Sequence, residues 1–126
     1  MTSRPRKDTG KYTNSERERA RKMALTRDFK DTIMERAQND PAFRVGLLTE
    51  AAECLLNDEV GVAKMLLRDY VNATVGFQEL GRLVDKKPQS LMRMLSEKGN
   101  PSLGNISKLM ASLHRHEGVE LRVSAE

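Results

Sequence analysis

The chain has 126 residues, a net charge of +4 and a pI near 9.4, with no Trp, two Tyr and three Phe. That length suits one domain plus a tail, and a core filled by Leu, Met, Val and Ala without β-type alternation favours helices. Nothing approaches the run of about 18 apolar residues that a membrane span needs, and no apolar stretch follows the basic N-terminus as in a secretory signal. The one cysteine, Cys54, excludes an internal disulfide and a paired-cysteine metal site. A cytoplasmic protein without membrane contact is therefore expected.

Charge is divided unevenly along the chain. Residues 1–30 carry ten Lys and Arg against four Asp and Glu, residues 31–75 four against eight, and residues 76–126 eight against six. A basic face beside an acidic one suits a polyanionic partner. Residues 1–14 are polar and rich in turn formers, and residues 15–22 hold helix formers without an apolar stripe. Residues 1–27 thus read as a basic, flexible N-terminal arm, either a solubilising segment or a grip on DNA phosphates, ahead of a helical domain over residues 28–126.

The domain opens with Phe29, Ile33, Met34 and Ala37 on one narrow helical face. Asp40-Pro41 predicts a helix start, with Asp as N-cap and Pro in the first turn. Phe43, Leu47, Leu48, Ala51, Cys54 and Leu55 give that helix a broad apolar face, on which Cys54 reads as a buried structural residue. Asn57-Asp58 breaks it, and Asp58 is expected to cap a further helix carrying Val62, Ala63, Leu66, Leu67, Tyr70 and Val71. The two helices predict an N-terminal helical hairpin.

Residues 77–95 carry the spacing of a helix-turn-helix. Phe77, Leu80, Gly81 and Val84 form the inner stripe of a first helix, with the small Gly81 where two closely packed helices must meet. Asp85 tolerates a left-handed turn, and Lys87-Pro88 opens a second helix with Leu91 and Leu95 facing inward. Gln89, Ser90 and Arg93 then project from its early turns, the end that enters a major groove. Gln suits an adenine edge, Arg a guanine edge, and Ser either. Lys87 is a further candidate base reader. Gln78 and Lys86 are candidate phosphate contacts, joined by Lys98, Asn100, Ser102 and Asn105 beyond the second helix. Gly99 is expected to end that helix and Ser102 to cap the next, which carries Leu103, Ile106, Leu109, Met110 and Leu113. Met92, Met94 and Met110 read as core or interface filling. By spacing alone, an ordinary helical hairpin with a solvated polar face is an equal reading.

The segments Phe77-Gln-Glu-Leu-Gly and Ser90-Leu-Met-Arg-Met-Leu-Ser-Glu-Lys-Gly-Asn-Pro-Ser, with Asn105-Ile and Leu113, resemble the Xre/lambda-repressor-type helix-turn-helix family. Within it they are most similar to the addiction-module antidote proteins, the HigA-like antitoxins. The resemblance covers about residues 28–124, including Leu67-Arg-Asp-Tyr-Val-Asn-Ala. It implies an all-α, lambda-repressor-like bundle, autorepression of a toxin–antitoxin operon, and a small RelE/HigB-type toxin as partner. It also implies base reading by Gln89, Ser90 and Arg93. Gly81 stands where that pattern usually has Ala, and Lys86 where the wider family often has an apolar residue.

After Gly118, the alternation of Val119, Leu121 and Val123 predicts a short C-terminal β-strand. Such a strand would pair with its twin in a homodimer or dock on a toxin's sheet, or else the segment packs as an extended tail on the helices. A two-fold dimer would set two reading helices about 34 Å apart on a palindromic operator. His114 and His116 lie at the end of the last helix, where cations suit the dipole, without a third ligand for a metal. With no Gly-rich phosphate loop, metal spacing or nucleophile set, no catalytic residue, metal or cofactor is expected. The other function readings are a stand-alone or phage-type repressor without a toxin, and a mainly protein-binding module.

Overall fold

The computed structural model describes residues 27–126. Apart from Arg27, the expected arm lies outside the described residues, as does the side chain of Phe29. Six helices follow in order: α1 (Arg27–Asn39), α2 (Pro41–Leu56), α3 (Val60–Ala73), α4 (Gly76–Val84), α5 (Pro88–Met94) and α6 (Leu103–Glu117). None of them is long and apolar enough to cross a membrane.

The junctions follow from local chemistry. Pro41 disfavours a helical residue before it, and Asp40 is extended (φ −132°, ψ 99°), its side chain accepting from Ala42 N at 3.1 Å and Phe43 N at 3.3 Å. Asp58 plays a different part from the expected one. It takes a left-handed conformation (φ 62°) that closes α2, and Glu59 occupies the N-cap of α3 without a side-chain cap bond. Ser102 caps α6 by accepting from Asn105 N at 3.1 Å.

α3 is the centre of the bundle and packs against α1, α2 and α4, while α6 closes it over α2 and α4. Val62 through Leu67, with Tyr70, Val71 and Ala73, are buried, so α3 has almost no solvated face. The same core takes in Leu47, Leu48, Ala51 and Cys54 of α2, Leu80 of α4, Leu91 of α5, and Leu109 and Leu113 of α6.

The C-terminal strand is not formed. The described residues contain no strand, and residues 119–126 run without regular structure after Gly118 (φ 77°) closes α6. Among the described residues there is no sheet edge for an extended segment to join, and Val119 N donates instead to His114 O at the end of α6, at 3.0 Å. Leu121 packs on the core while Val123 stays exposed.

The bundle also contains a polar cluster that local sequence patterns do not announce. Glu117, at the end of α6, accepts from Tyr70 Oη at 2.6 Å and from Arg44 Nε at 3.1 Å. Arg44 also donates to Ala37 O at 2.9 Å, so the cluster ties α1, α2, α3 and α6 together. Burial, and then the hydrogen bond and negative charge of Glu117, push the Tyr70 phenol above its usual range. His114, expected as a cation at the helix end, is half-buried; desolvation pulls its imidazole below the usual value and so favours the neutral form.

Candidate nucleic-acid interface

Two short helices joined by three residues form the candidate site. α4 ends at Asp85, which is left-handed at φ 58°, and Lys86 N donates back to Gly81 O at 2.9 Å. Lys87 is the extended N-cap of α5 and Pro88 its first residue. Gly81 is the contact that permits the turn. A Cβ placed there would lie 2.5 Å from Lys86 O and 3.5 Å from Pro88 Cδ, so the chain crosses α4 at a distance only glycine allows. Leu80 and Val84 of α4 and Leu91 of α5 are buried below, with Leu95 just past its end.

This packing leaves a defined outer face. Gln89, Met92 and Arg93 are exposed on α5 at the i, i+3 and i+4 spacing of one side of a helix, and Ser90 is half-buried. The exposure of Met92 departs from its reading as filling; Met94 is half-buried against the core and Met110 is buried. Gln78, Arg82, Asp85, Lys86 and Lys87 line a cleft between α4 and the start of α5. The structure thus brings Gln78, Lys86 and Lys87 together and adds Arg82, which was absent from the sequence-based set. The repeating Gln78, Arg82, Lys86 spacing could have signalled it. Arg82 pairs with Glu79 one turn earlier, its Nε reaching Oε1 at 3.1 Å.

The remaining candidates occupy the segment beyond α5. Lys98, Asn100 and Ser102 are exposed and Asn105 is half-buried. Gly99 does not end α5, which stops at Met94 with Leu95 as its cap. Instead, Gly99 lets the segment fold back under the helix end, where a Cβ would run into the carbonyl oxygens of Arg93 and Met94.

The arrangement offers an exposed face on α5 carrying Gln89, Met92 and Arg93, cationic groups along the cleft and cationic or amide groups beyond it. Among the described residues, no three His, Cys, Asp or Glu side chains come together as a metal site. The chain matches no family model, no curated protein and no solved structure, so the reading of this face rests on its own residues.

Proposed function

We propose that the chain is a sequence-specific, double-stranded-DNA-binding transcriptional regulator, a cytoplasmic homodimer and not an enzyme. The observation that carries this reading is the close α4–α5 turn at Gly81, which leaves Gln89 and Arg93 exposed beside a cleft lined by Lys86 and Lys87. In it, α5 lies in the major groove. Arg93 bonds guanine O6 and N7, Gln89 bonds adenine N6 and N7, and Ser90 and Lys87 complete the base-reading set. Gln78 and Lys86 hold phosphates on one flank; Lys98, Asn100, Ser102 and Asn105 hold them on the other.

The finer reading, an antitoxin that represses its own operon and neutralises a small RelE/HigB-like toxin, rests on the family resemblance over about residues 28–124 alone. A toxin gene beside this one would support it, whereas its absence would favour a stand-alone or phage-type repressor. The mainly protein-binding alternative draws support from Leu56 and Val60, both exposed where α2 turns into α3.

The test is binding to a 30-base-pair duplex recovered from a randomised pool, beside a scrambled duplex. Arg93→Ala should weaken binding to the selected duplex by about 1–3 kcal/mol and relax sequence preference. Lys98→Ala should weaken both duplexes alike and lower the salt slope by about one. If both variants bind like the parent chain, α5 is not the reading helix.

A further inference from the structure

The reading helix is short and rests on α4, and its far end is held by another part of the molecule. Lys64 and Arg68, one turn apart on α3, both reach the segment that follows α5. Arg68 Nη1 donates to Leu95 O at 3.1 Å, the carbonyl of the residue that caps α5. Lys64 Nζ donates to Glu97 O at 3.2 Å and Gly99 O at 2.5 Å. Lys64 is only 6% exposed, and these two backbone oxygens accept from its ammonium where little water reaches it. Both cations sit where carbonyls at the end of a helix and its following turn present negative partial charge. The segment is tight in its own right: Ser96 Oγ donates to Arg93 O at 2.7 Å and Gly99 N to Ser96 O at 3.0 Å.

We infer that Lys64 and Arg68 are positioning residues for DNA recognition, an inference that rests on the DNA-binding function proposed above. Neither needs to touch nucleic acid. Arg68 fixes the end of α5 and so the pitch at which Gln89 and Arg93 meet base edges. Lys64 fixes residues 97–99 and so the placing of Lys98 and Asn100 against phosphates. The two therefore divide the work: losing Arg68 damages sequence preference, and losing Lys64 damages affinity for any duplex.

The full chain and its Lys64→Met, Arg68→Met, Lys64→Arg and Arg68→Lys variants decide this. Each is measured for amide exchange and for binding to the selected and scrambled duplexes. In both Met variants, exchange at Ser96 and Gly99 should accelerate about tenfold, the scale of one charged hydrogen bond, while Leu109 and Leu113 in α6 stay protected. Arg68→Met should lose about tenfold against the selected duplex and little against the scrambled one. Lys64→Met should lose a similar factor against both, and each charge-keeping variant should recover part of the loss. Equal acceleration at Leu109 and Leu113 would reduce both residues to general stabilisers and overturn the inference. So would unchanged binding despite faster exchange at Ser96 and Gly99. Should Lys64→Met fail to fold, the contrast between Arg68→Met and Arg68→Lys decides the outcome. If the parent chain itself does not distinguish the duplexes, the DNA reading fails and positioning fails with it, while exchange still reports whether the α3 clamp exists.

Discussion

Two of the arginine–glutamate pairs among the described residues have the same chemistry and opposite consequences. Arg44 and Glu117 join α2 to the end of α6 across 73 residues of sequence, with side chains 21% and 8% exposed. Arg82 and Glu79 lie one turn apart on α4, 73% and 44% exposed. The first pair is largely shielded from water and Tyr70 also donates to the carboxylate, so losing one partner leaves a poorly solvated charge. The second pair remains in solvent, where screening and side-chain entropy leave an ion pair weak. A buried pair is therefore a fastening, and an exposed one is a contact that a stronger anion can displace. The exposed pair borders the cleft proposed to meet phosphate.

The largest expected effect tests the buried side of that comparison. Arg44→Ala leaves Glu117 with Tyr70 and without its cation, and should cost about 3 kcal/mol in denaturant unfolding. A loss under about 1 kcal/mol would place this pair with the surface pairs. Next comes Gly81→Ala. Alanine gains roughly 1 kcal/mol of helix propensity, but its Cβ would meet the Lys86 carbonyl, a backbone atom that cannot swing aside. The strain, about 1–3 kcal/mol, should win. A thermal melt that rises instead would mean the α4–α5 turn can relax.

Tyr70 supplies a pH signature for the buried cluster. Its phenol titrates above the unfolded value near 10 because it is buried and bonded to Glu117. Below pH 10, folded and unfolded chains both hold that proton, and stability does not depend on it. Above pH 10, the unfolded chain releases it first, so stability falls as pH rises. Tyr70→Phe should flatten this alkaline slope, and an unchanged slope would assign it to other groups. The smallest expected effect belongs to the exposed pair. Glu79→Gln should leave the melting temperature where it is and tighten duplex binding, more at low salt than at high. A drop in melting temperature would show that the pair fastens α4 after all.

Much of the local structure was legible because it depends on residues close in sequence. The Asp40-Pro41 start, the left-handed Asp85, the Lys87-Pro88 opening and the Ser102 cap each need only a few neighbouring residues. Legibility failed where a partner was required. Val119, Leu121 and Val123 alternate as a strand would, but an extended segment becomes a strand only beside another edge. Met92 has the apolarity of a core residue and lies on the exposed side of α5. Asp58 could have capped α3 as well as ended α2, and its left-handed backbone serves the second role.

The candidate site divides in the same way. Gln89 and Arg93 were found from helical spacing alone, because one face of a helix is determined by sequence interval. Arg82 entered through the cleft it shares with Lys86 and Lys87, and Lys64 and Arg68 through bonds to residues about thirty positions away. By itself, the sequence determined the helical class, the capped helix starts at Asp40 and Ser102, the turn at Asp85 and the outward polar face of α5. Only the tertiary structure decided which charges are buried, what grips the end of α5 and whether the last residues form a strand. Those outcomes turn on desolvation and on partners distant in sequence, and neither can be read from a local pattern.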